Sequence, residues 1–321
     1  MPTVSVIATV LNEADSIGGL LTSMQRQTLT PADIVIVDGG STDGTWEHLL
    51  AAQGTMPNLV PVRDETCNRR HVVGPIARGR NVAITRARGD LIACADAGCL
   101  YDSTWVDHIT ALLRDGTADY TLGGSRLDLS QSTVWDIASA PFLGVKLDPG
   151  EPSKSCAARS VAFTRAAWAR VGGFPEFLFH ADDVLFDQHM RGSARTIPAT
   201  DAKAIYIPHH TFRTALEQVA SYSRGDGIAG LRAARLMRNV FRCLAEVAAL
   251  ALLPLTSWPL FLVVILELYF AFRLDWKHVR SLGARVLLAR LAFSLVVPWV
   301  VAWNQVRGAL RKQYRTNRQN A

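Results

Sequence analysis

Short runs of aliphatic residues alternate with helix-like segments through roughly the first 125 residues of the chain. The pattern predicts strands at 3–11, 33–37, 59–62 and 91–95, with helices at 16–27, 45–53, 75–88 and 103–114. Strands that alternate with helices in this way form a mostly parallel sheet with helices on both faces. The predicted fold class is therefore α/β. Residues 126–154 contain three prolines and are expected to be irregular.

The last third of the chain is both basic and apolar. Residues 224–321 hold 15 of the 34 Lys and Arg but only four of the 28 Asp and Glu. Residues 247–266 carry no charge, and about 20 apolar residues are enough to cross a bilayer. We therefore predict two domains, a catalytic one at 1–225 and a membrane-associated one at 226–321, with apolar stretches at about 243–272 and 286–303. No module typical of nucleic-acid binding is present.

The path of these apolar stretches through a membrane is left open by the sequence. Pro254 and Pro259 could kink one spanning helix or turn a re-entrant hairpin. Basic residues flank both stretches on every side. Loops rich in Lys and Arg prefer the cytosolic side of a membrane, and two simple spans could not place all of these flanks on that side. At least one in-plane or re-entrant helix is favoured, and a buried helical domain of a soluble protein is the alternative.

The start of the chain and its cysteines indicate the compartment. The sequence enters a strand within its first residues, without a basic, apolar leader. The five cysteines form no CxxC pair and no zinc-ligand spacing, as expected for a reduced cytosol. We expect the catalytic domain to lie in the cytosol, attached to the cytoplasmic (inner) membrane.

Acidic residues follow the predicted strands at their carboxyl ends, where open parallel sheets bind ligands. Asp38, followed by two glycines, could accept hydrogen bonds from a nucleobase or ribose, or could simply belong to a turn with a helix cap. Asp96 could hold a divalent cation, Mg²⁺ or Mn²⁺, against a diphosphate. Arg78 and Arg80 could bind phosphate, or could lie on a solvated helix face.

Asp182 and Asp183 stand side by side at the predicted start of a helix. The positive end of the helix dipole favours their ionised forms, and a general base must be ionised before it accepts a proton. The alternative is an acidic helix terminus without chemistry.

Five segments in this order resemble the family 2 glycosyltransferases. They are Val4–Ile7 with Asn12-Glu13, Val37–Thr45, Arg80-Asn81 with Ala87–Asp90 and Asp96–Gly98, Val171–Phe174 with Asp182–Val184, and Gln218 with Tyr222–Gly225. The resemblance covers about residues 3–225 and implies a GT-A-like nucleotide-sugar-binding fold and an inverting transferase. The implied donor is a nucleotide-diphosphate sugar, with UDP preferred.

The resemblance also implies roles for individual residues. Asn12 and Glu13 would line the nucleotide pocket, and Asp38 would contact the base. Asp96 matches the first acidic residue of the family's DxD metal motif. Asp183 matches the catalytic base. Gln218 and Arg224 would help to place the diphosphate or the acceptor.

Two positions depart from the family pattern. Gly98 replaces the second metal-binding Asp, so His209 or His210 is a candidate further ligand, and surface loop residues are the alternative. Asp182 replaces the usual Glu before the base.

The leading hypothesis is sugar transfer to a lipid-linked or polysaccharide acceptor at the membrane. A sugar-phosphate nucleotidyltransferase and a catalytically inactive membrane assembly protein are the alternatives.

Overall fold

The computed structural model describes residues 2–145, 147, 158–208, 210–272 and 283–311. Their contacts divide the chain into two compact units. The first lies within Met1–Asp128 and Asp148–Ile207, and the second within Leu129–Leu147 and Pro208–Ala321. The second unit thus includes two segments of the region 1–225. The predicted boundary between a catalytic and a membrane-associated domain at 225/226 remains a prediction.

The described part of the first unit contains an eight-stranded sheet in the order β3-β2-β1-β4-β7-β6-β8-β5. The strands are β1 Val4–Val10, β2 Asp33–Asp38, β3 Leu59–Arg63, β4 Leu91–Cys94, β5 Cys99–Tyr101, β6 Tyr120–Leu127, β7 Val161–Thr164 and β8 Thr196–Tyr206. Strands β3, β2, β1 and β4 pair in parallel, as do β6 and β8, whereas β7 runs antiparallel to β4 and β6, and β5 to β8. The predicted α/β class with a mostly parallel sheet is confirmed.

Helices cover this sheet on both faces. The first unit holds α1 Ala14–Gln25, α2 Thr45–Gln53, α3 Pro75–Arg86, α4 Trp105–Arg114, α6 Arg165–Arg170 and α7 Asp182–Ser193. Neighbouring residues of β2 point to opposite sides, so Ile34 and Ile36 enter one hydrophobic core and Val35 and Val37 enter the other. Continuous burial of this kind is typical of a parallel strand covered on both faces.

Two local predictions need correction. Helix α4 begins at Trp105 after Thr104, two residues later than the predicted start at 103. The region predicted to be irregular contains helix α5, Val134–Leu143, in the second unit. Thr133 and Asp136 form a capping box at its start, a signal that the sequence carries. Pro141 lies inside the helix and obscured that signal.

The second unit is helical in its described part. Besides α5 it contains α8 Phe212–Ala229, α9 Ala233–Leu252, α10 Trp258–Phe272 and α11 Ala284–Ala309. The charge-free stretch 247–266 is divided between α9 and α10, so it does not form a single spanning helix. Helix α11 is the one described helix long and apolar enough to cross a membrane, judged by length and composition.

The last three helices share a buried polar cluster. Arg242 of α9 is buried and pairs with the fully buried Glu267 of α10. Its guanidinium also donates to the backbone oxygen of Ser294 in α11, at 2.8 Å. On the outer side of α9, Phe241 and Leu244 remain more than 60% exposed. Helix α11 also contributes to a buried apolar cluster, so the unit buries polar and apolar side chains together.

Candidate active site

Three neighbouring parallel strands bring the predicted nucleotide-binding residues to one edge of the sheet. Val10 at the end of β1 is paired with Asp38 at the end of β2, and Ile7 of β1 is paired with Cys94 of β4. Asn12 and Glu13 therefore follow β1 between the ends of β2 and β4. The common edge arises because parallel strands all end in the same direction.

Asp38 is fully buried at this edge. Its Oδ1 atom accepts hydrogen bonds from the backbone N–H of Ser41 at 2.9 Å and from the Ser41 hydroxyl at 2.5 Å. Its Oδ2 atom is also buried but has no hydrogen-bond partner among the described residues. An unsatisfied carboxylate oxygen in such a place costs free energy unless a ligand donates to it.

The loops after β1 and β2 are joined by hydrogen bonds. Asn12 has a positive φ of 56°, and its backbone N–H donates to the Ser41 hydroxyl at 2.9 Å. Its side-chain Oδ1 accepts from the backbone N–H of Thr42 at 3.0 Å. Glu13 N–H donates to the Thr45 hydroxyl at 2.8 Å. The left-handed backbone at Asn12 is the kind of local strain that surrounding contacts must hold.

Glu13 and Asp96 produce a region of negative potential beside these loops. Burial raises the pKa of Glu13, a hydrogen bond from Ser16 partly offsets this, and the charges of Asp96 and Asp43 raise it further. The Asp96 side chain, which follows β4, is about one-third exposed. A cation brought in with a ligand would relieve the repulsion between these carboxylates.

Arg80 lies between Asp96, which follows β4, and Asp182 at the start of α7. Its Nη1 donates to Asp182 Oδ2 at 2.8 Å, and its Nη2 lies 3.7 Å from Asp96 Oδ1. The guanidinium also stacks over the ring of Phe174, at 5.3 Å from the ring centre. Arg80 is only 7% exposed, which does not fit the solvated helix face considered for it. Its proposed role toward phosphate remains a prediction.

Arg80 and Asp182 influence each other's pKa. Burial raises the pKa of Asp182 to about 7, against the lowering effect of Arg80 and with a further increase from Asp183. Burial alone would lower the pKa of Arg80, but the charges of Asp182, Asp96 and Asp183 outweigh it and raise that pKa. Asp183 therefore lies within electrostatic reach of Arg80.

Helix α7 begins at the two aspartates, as predicted from the sequence. Ala181 precedes them with a positive φ of 66°, which is unusual for a residue with a side chain. Asp182 is buried, while Asp183 is partly exposed and its Oδ1 accepts from the backbone N–H of Val184 at 2.8 Å. Of the two carboxylates that follow this turn, Asp182 is buried and Asp183 can be reached by solvent or a substrate.

Asn81 holds the segment 174–176, which precedes this turn by a few residues, and the sequence did not reveal this contact. Asn81 Nδ2 donates to Glu176 Oε1 and to the Phe174 oxygen, both at 2.9 Å. Asn81 Oδ1 accepts from the Phe174 N–H at 2.9 Å. Arg78 Nη1 donates to Glu176 Oε2 at 3.2 Å. The sequence showed the motifs around residues 80 and 174, but it did not show the contact between them, which spans more than 90 residues.

Four predicted residues belong to the second unit, and one of them cannot be placed. Gln218 and Arg224 belong to α8 of the second unit, where Gln218 donates to Tyr222 and Arg224 to Asn304, both at 2.9 Å. His209 is outside the described residues. His210 is buried in the second unit, and its Nδ1 lies 3.1 Å from Asp136 Oδ1.

The donor set for a divalent cation is sparse. Within the described ranges, no three His, Cys, Asp or Glu side chains are grouped so that they could hold a metal. Mg²⁺ is commonly held by one or two carboxylates together with substrate phosphates. The single, partly exposed carboxylate of Asp96 fits that mode, in which most ligands arrive with the substrate.

Comparison with known proteins agrees with this geometry. The model of the family described as Glycosyl transferase family 2 matches residues 5–164, which include both strand-end loops and Asp96. The chain belongs to this family and is a glycosyltransferase.

Two curated relatives are each 26% identical to the chain. The succinoglycan biosynthesis protein ExoA of Rhizobium meliloti aligns over 93% of this chain and 92% of its own length. Glycosyltransferase AglE of Haloferax volcanii aligns over 57% of this chain, and the match spans only 60% of AglE.

Solved structures share the fold. The mannosyltransferase PcManGT from Pyrobaculum calidifontis, in complex with GDP-Man and Mn²⁺, has a TM-score of 0.56 at 20% identity, covering 97% of this chain and 87% of its own. S. aureus TarS 1–349 with UDP-GlcNAc has a TM-score of 0.50 at 17% identity, covering 99% and 92%. The chain spans 55% of a longer TarS chain. The fold thus resembles that of GT-A glycosyltransferases.

Proposed function

We propose that this protein is an inverting glycosyltransferase that moves a sugar from a nucleotide-diphosphate sugar to a lipid-linked or polysaccharide acceptor at the cytoplasmic face of the inner membrane. The observation that carries the proposal is the chain of contacts from Asp96 through Arg80 to Asp182, with Asp183 next to it. This chain links the nucleotide-binding edge to a reachable carboxylate.

The nucleotide would bind over the ends of β1 and β2. The buried Oδ2 of Asp38 is an acceptor for a base N–H, and the Asn12–Glu13 loop lies beside it. The structures of TarS with UDP-GlcNAc and of PcManGT with GDP-Man and Mn²⁺ support a nucleotide-sugar donor. We retain UDP as the preferred nucleotide.

The chemistry would proceed in one displacement. Asp183 accepts the proton of an acceptor hydroxyl, and that oxygen attacks the anomeric carbon of the donor sugar. The bond from that carbon to the diphosphate oxygen breaks, and the nucleoside diphosphate leaves with the electron pair. Attack from the face opposite the leaving group inverts the anomeric configuration.

The remaining residues would position these groups. Arg80 holds Asp182 and restrains the start of α7, so that Asp183 keeps its orientation. Asp96 would hold a divalent cation, which when bound supplies positive charge to the leaving diphosphate. Asn81 holds Phe174 and Glu176, in the segment that leads to the base.

The second unit supports attachment to a membrane. Its helices bury Arg242, Glu267 and Ser294 and expose large apolar side chains, as expected where the surroundings are lipid. Helix α11 could cross the bilayer by its length and composition. The alignment with ExoA, a succinoglycan biosynthesis protein, over nearly the whole chain favours a polysaccharide or its lipid-linked precursor as acceptor.

The deciding experiment compares Asp183→Asn with the wild type in sugar transfer. Purified protein with Mn²⁺ would receive radiolabelled UDP-sugars or GDP-mannose together with lipid-linked acceptors extracted from membranes. Loss of the base should lower kcat by about 10²- to 10⁴-fold, while the affinity for UDP or GDP measured by calorimetry stays unchanged.

A matched control and two contrary outcomes complete the design. Asp201→Asn changes an exposed aspartate of the same unit and should leave transfer unaffected. Equal transfer by Asp183→Asn and wild type would exclude Asp183 as the base. If the protein instead joins a nucleoside triphosphate to a sugar phosphate and releases pyrophosphate, it is a nucleotidyltransferase.

A further inference from the structure

Three arginines contribute to the wall of a small cavity in the second unit. The cavity has a volume of about 70 Å³, and its lining includes Arg235, Arg238 and Arg242 together with Phe142, Phe270 and Val297. One water molecule occupies about 30 Å³ in the liquid, so the cavity is on the scale of a few atoms and too small for a nucleoside. We call this cavity the arginine pocket.

The arginines of the pocket come from one stripe of α9. Arg235, Arg238 and Arg242 recur at spacings of three and four residues, which places them on the same side of a helix. Arg238 and Arg242 both lie over the ring of Phe270 in α10, at 6.0 and 4.6 Å from its centre. The ring thus holds two cations at one wall of the pocket.

Two arginines at the start of α9 share one carboxylate. The buried carboxylate of Asp226 accepts from Arg232 and Arg235, at 3.2 and 3.1 Å. Burial lowers the pKa of Arg235, and the charge of Asp226 only partly restores it. These three residues carry more positive than negative charge, so they would attract an anion in the pocket, where charge-assisted hydrogen bonds are strong.

The same helix carries an apolar stripe beside the arginines. Met237, Phe241 and Leu244 are 67, 62 and 63% exposed, at spacings of four and three residues. A helix with one apolar and one basic side is suited to the boundary between lipid tails and phosphate headgroups. This arrangement favours a phosphate attached to a lipid over a phosphate free in solution.

We propose that the arginine pocket binds the phosphate group of a membrane lipid. The cavity accommodates the phosphate, Arg235 and Arg238 donate to its oxygens, and the lipid tail extends along the exposed apolar stripe. The inference goes beyond the sugar-transfer reaction and rests on the membrane attachment proposed above. It uses residues of the second unit alone.

Binding of farnesyl phosphate to the full-length protein in a non-ionic detergent tests the proposal. Calorimetry would compare farnesyl phosphate with farnesol and with inorganic phosphate. We expect farnesyl phosphate to bind at least tenfold more tightly than either. Arg238→Gln should weaken its binding by about tenfold or more, the effect of one charge-assisted hydrogen bond. Arg213→Gln, which removes an exposed cation of the same unit, should not change it.

A second variant tests the cavity itself. Val297→Phe retains all arginines but fills the cavity, and should also weaken binding; thermal melting identifies any variant that has not folded. Equal affinity for inorganic phosphate, or equal losses in Arg213→Gln and Arg238→Gln, would overturn the proposal. Asp183→Asn should bind farnesyl phosphate normally, so failure of the transfer hypothesis and failure of this one are distinguishable.

Discussion

The guanidinium of Arg80 and the carboxylate of Asp182 are paired at 2.8 Å, and both side chains are more than 90% buried. The two residues are 102 positions apart in the sequence. Their pairing joins α3 to the start of α7, where the candidate base Asp183 follows. Several consequences of this arrangement and of the neighbouring strand ends can be measured.

Removing Arg80 should destabilise the protein. Arg80→Met leaves the carboxylate of Asp182 buried without its partner, and such a change costs about 3–5 kcal/mol in the free energy of unfolding. The measurement is denaturant unfolding at pH 8, where Asp182 is ionised. Arg195→Met breaks an exposed ion pair of the same unit and should cost far less. Equal costs for the two variants would contradict a buried, structural role for Arg80.

The stability contributed by Asp182 should depend on pH in a defined window. Its pKa is about 7 in the folded protein against an ordinary value of 3.8, so the folded chain retains a proton that the unfolded chain releases. The favourable contribution is complete below about pH 4 and is lost as the pH rises toward 7. Relative to Asp182→Asn, the wild type should therefore lose stability from pH 4.5 to 7. A constant difference between their free energies of unfolding would refute this.

Asp38→Asn should weaken nucleotide binding while leaving the fold intact. The Asn oxygen can still accept both hydrogen bonds from Ser41, but an amide N–H replaces the acceptor Oδ2. Loss of a hydrogen bond to a charged acceptor lowers affinity by about 10- to 100-fold. Calorimetry with UDP and GDP measures it, with Asp64→Asn as the control. Unchanged affinity for both nucleotides would remove Asp38 from the proposed pocket.

Gly98→Asp should strengthen metal binding. Among the described residues, a Cβ atom at residue 98 meets only Tyr206 Cε2, at 3.9 Å, an ordinary contact that the fold can accept. The new carboxylate lies two residues after Asp96 and adds a hard oxygen ligand. We expect Mn²⁺ to bind about tenfold more tightly in the presence of UDP, measured by paramagnetic resonance. Gly98→Asn adds similar volume without the charge and should give a smaller gain, whereas equal gains would argue against coordination by the new carboxylate.

The sequence alone determined the class of fold and the order of its elements in the first unit. Alternating aliphatic runs, turns and helix caps are local signals, and each of them fixes the conformation of a few adjacent residues. Because parallel strands end at a common edge, the position of Asp38 and Asp96 after their strands was enough to expect them near one another. The start of α7 at Asp182 was likewise visible from its charges.

Only the tertiary structure decided which of these side chains meet. The contact of Arg80 with Asp182, the contact of Asn81 with Glu176 and the assignment of α5 to the second unit all join distant parts of the chain. The apolar stretch 247–266 also reads as one continuous span, yet it is divided between α9 and α10. Hydrophobicity indicates that a segment is buried away from water. Packing and buried pairs such as Arg242 with Glu267 determine where each helix begins and ends.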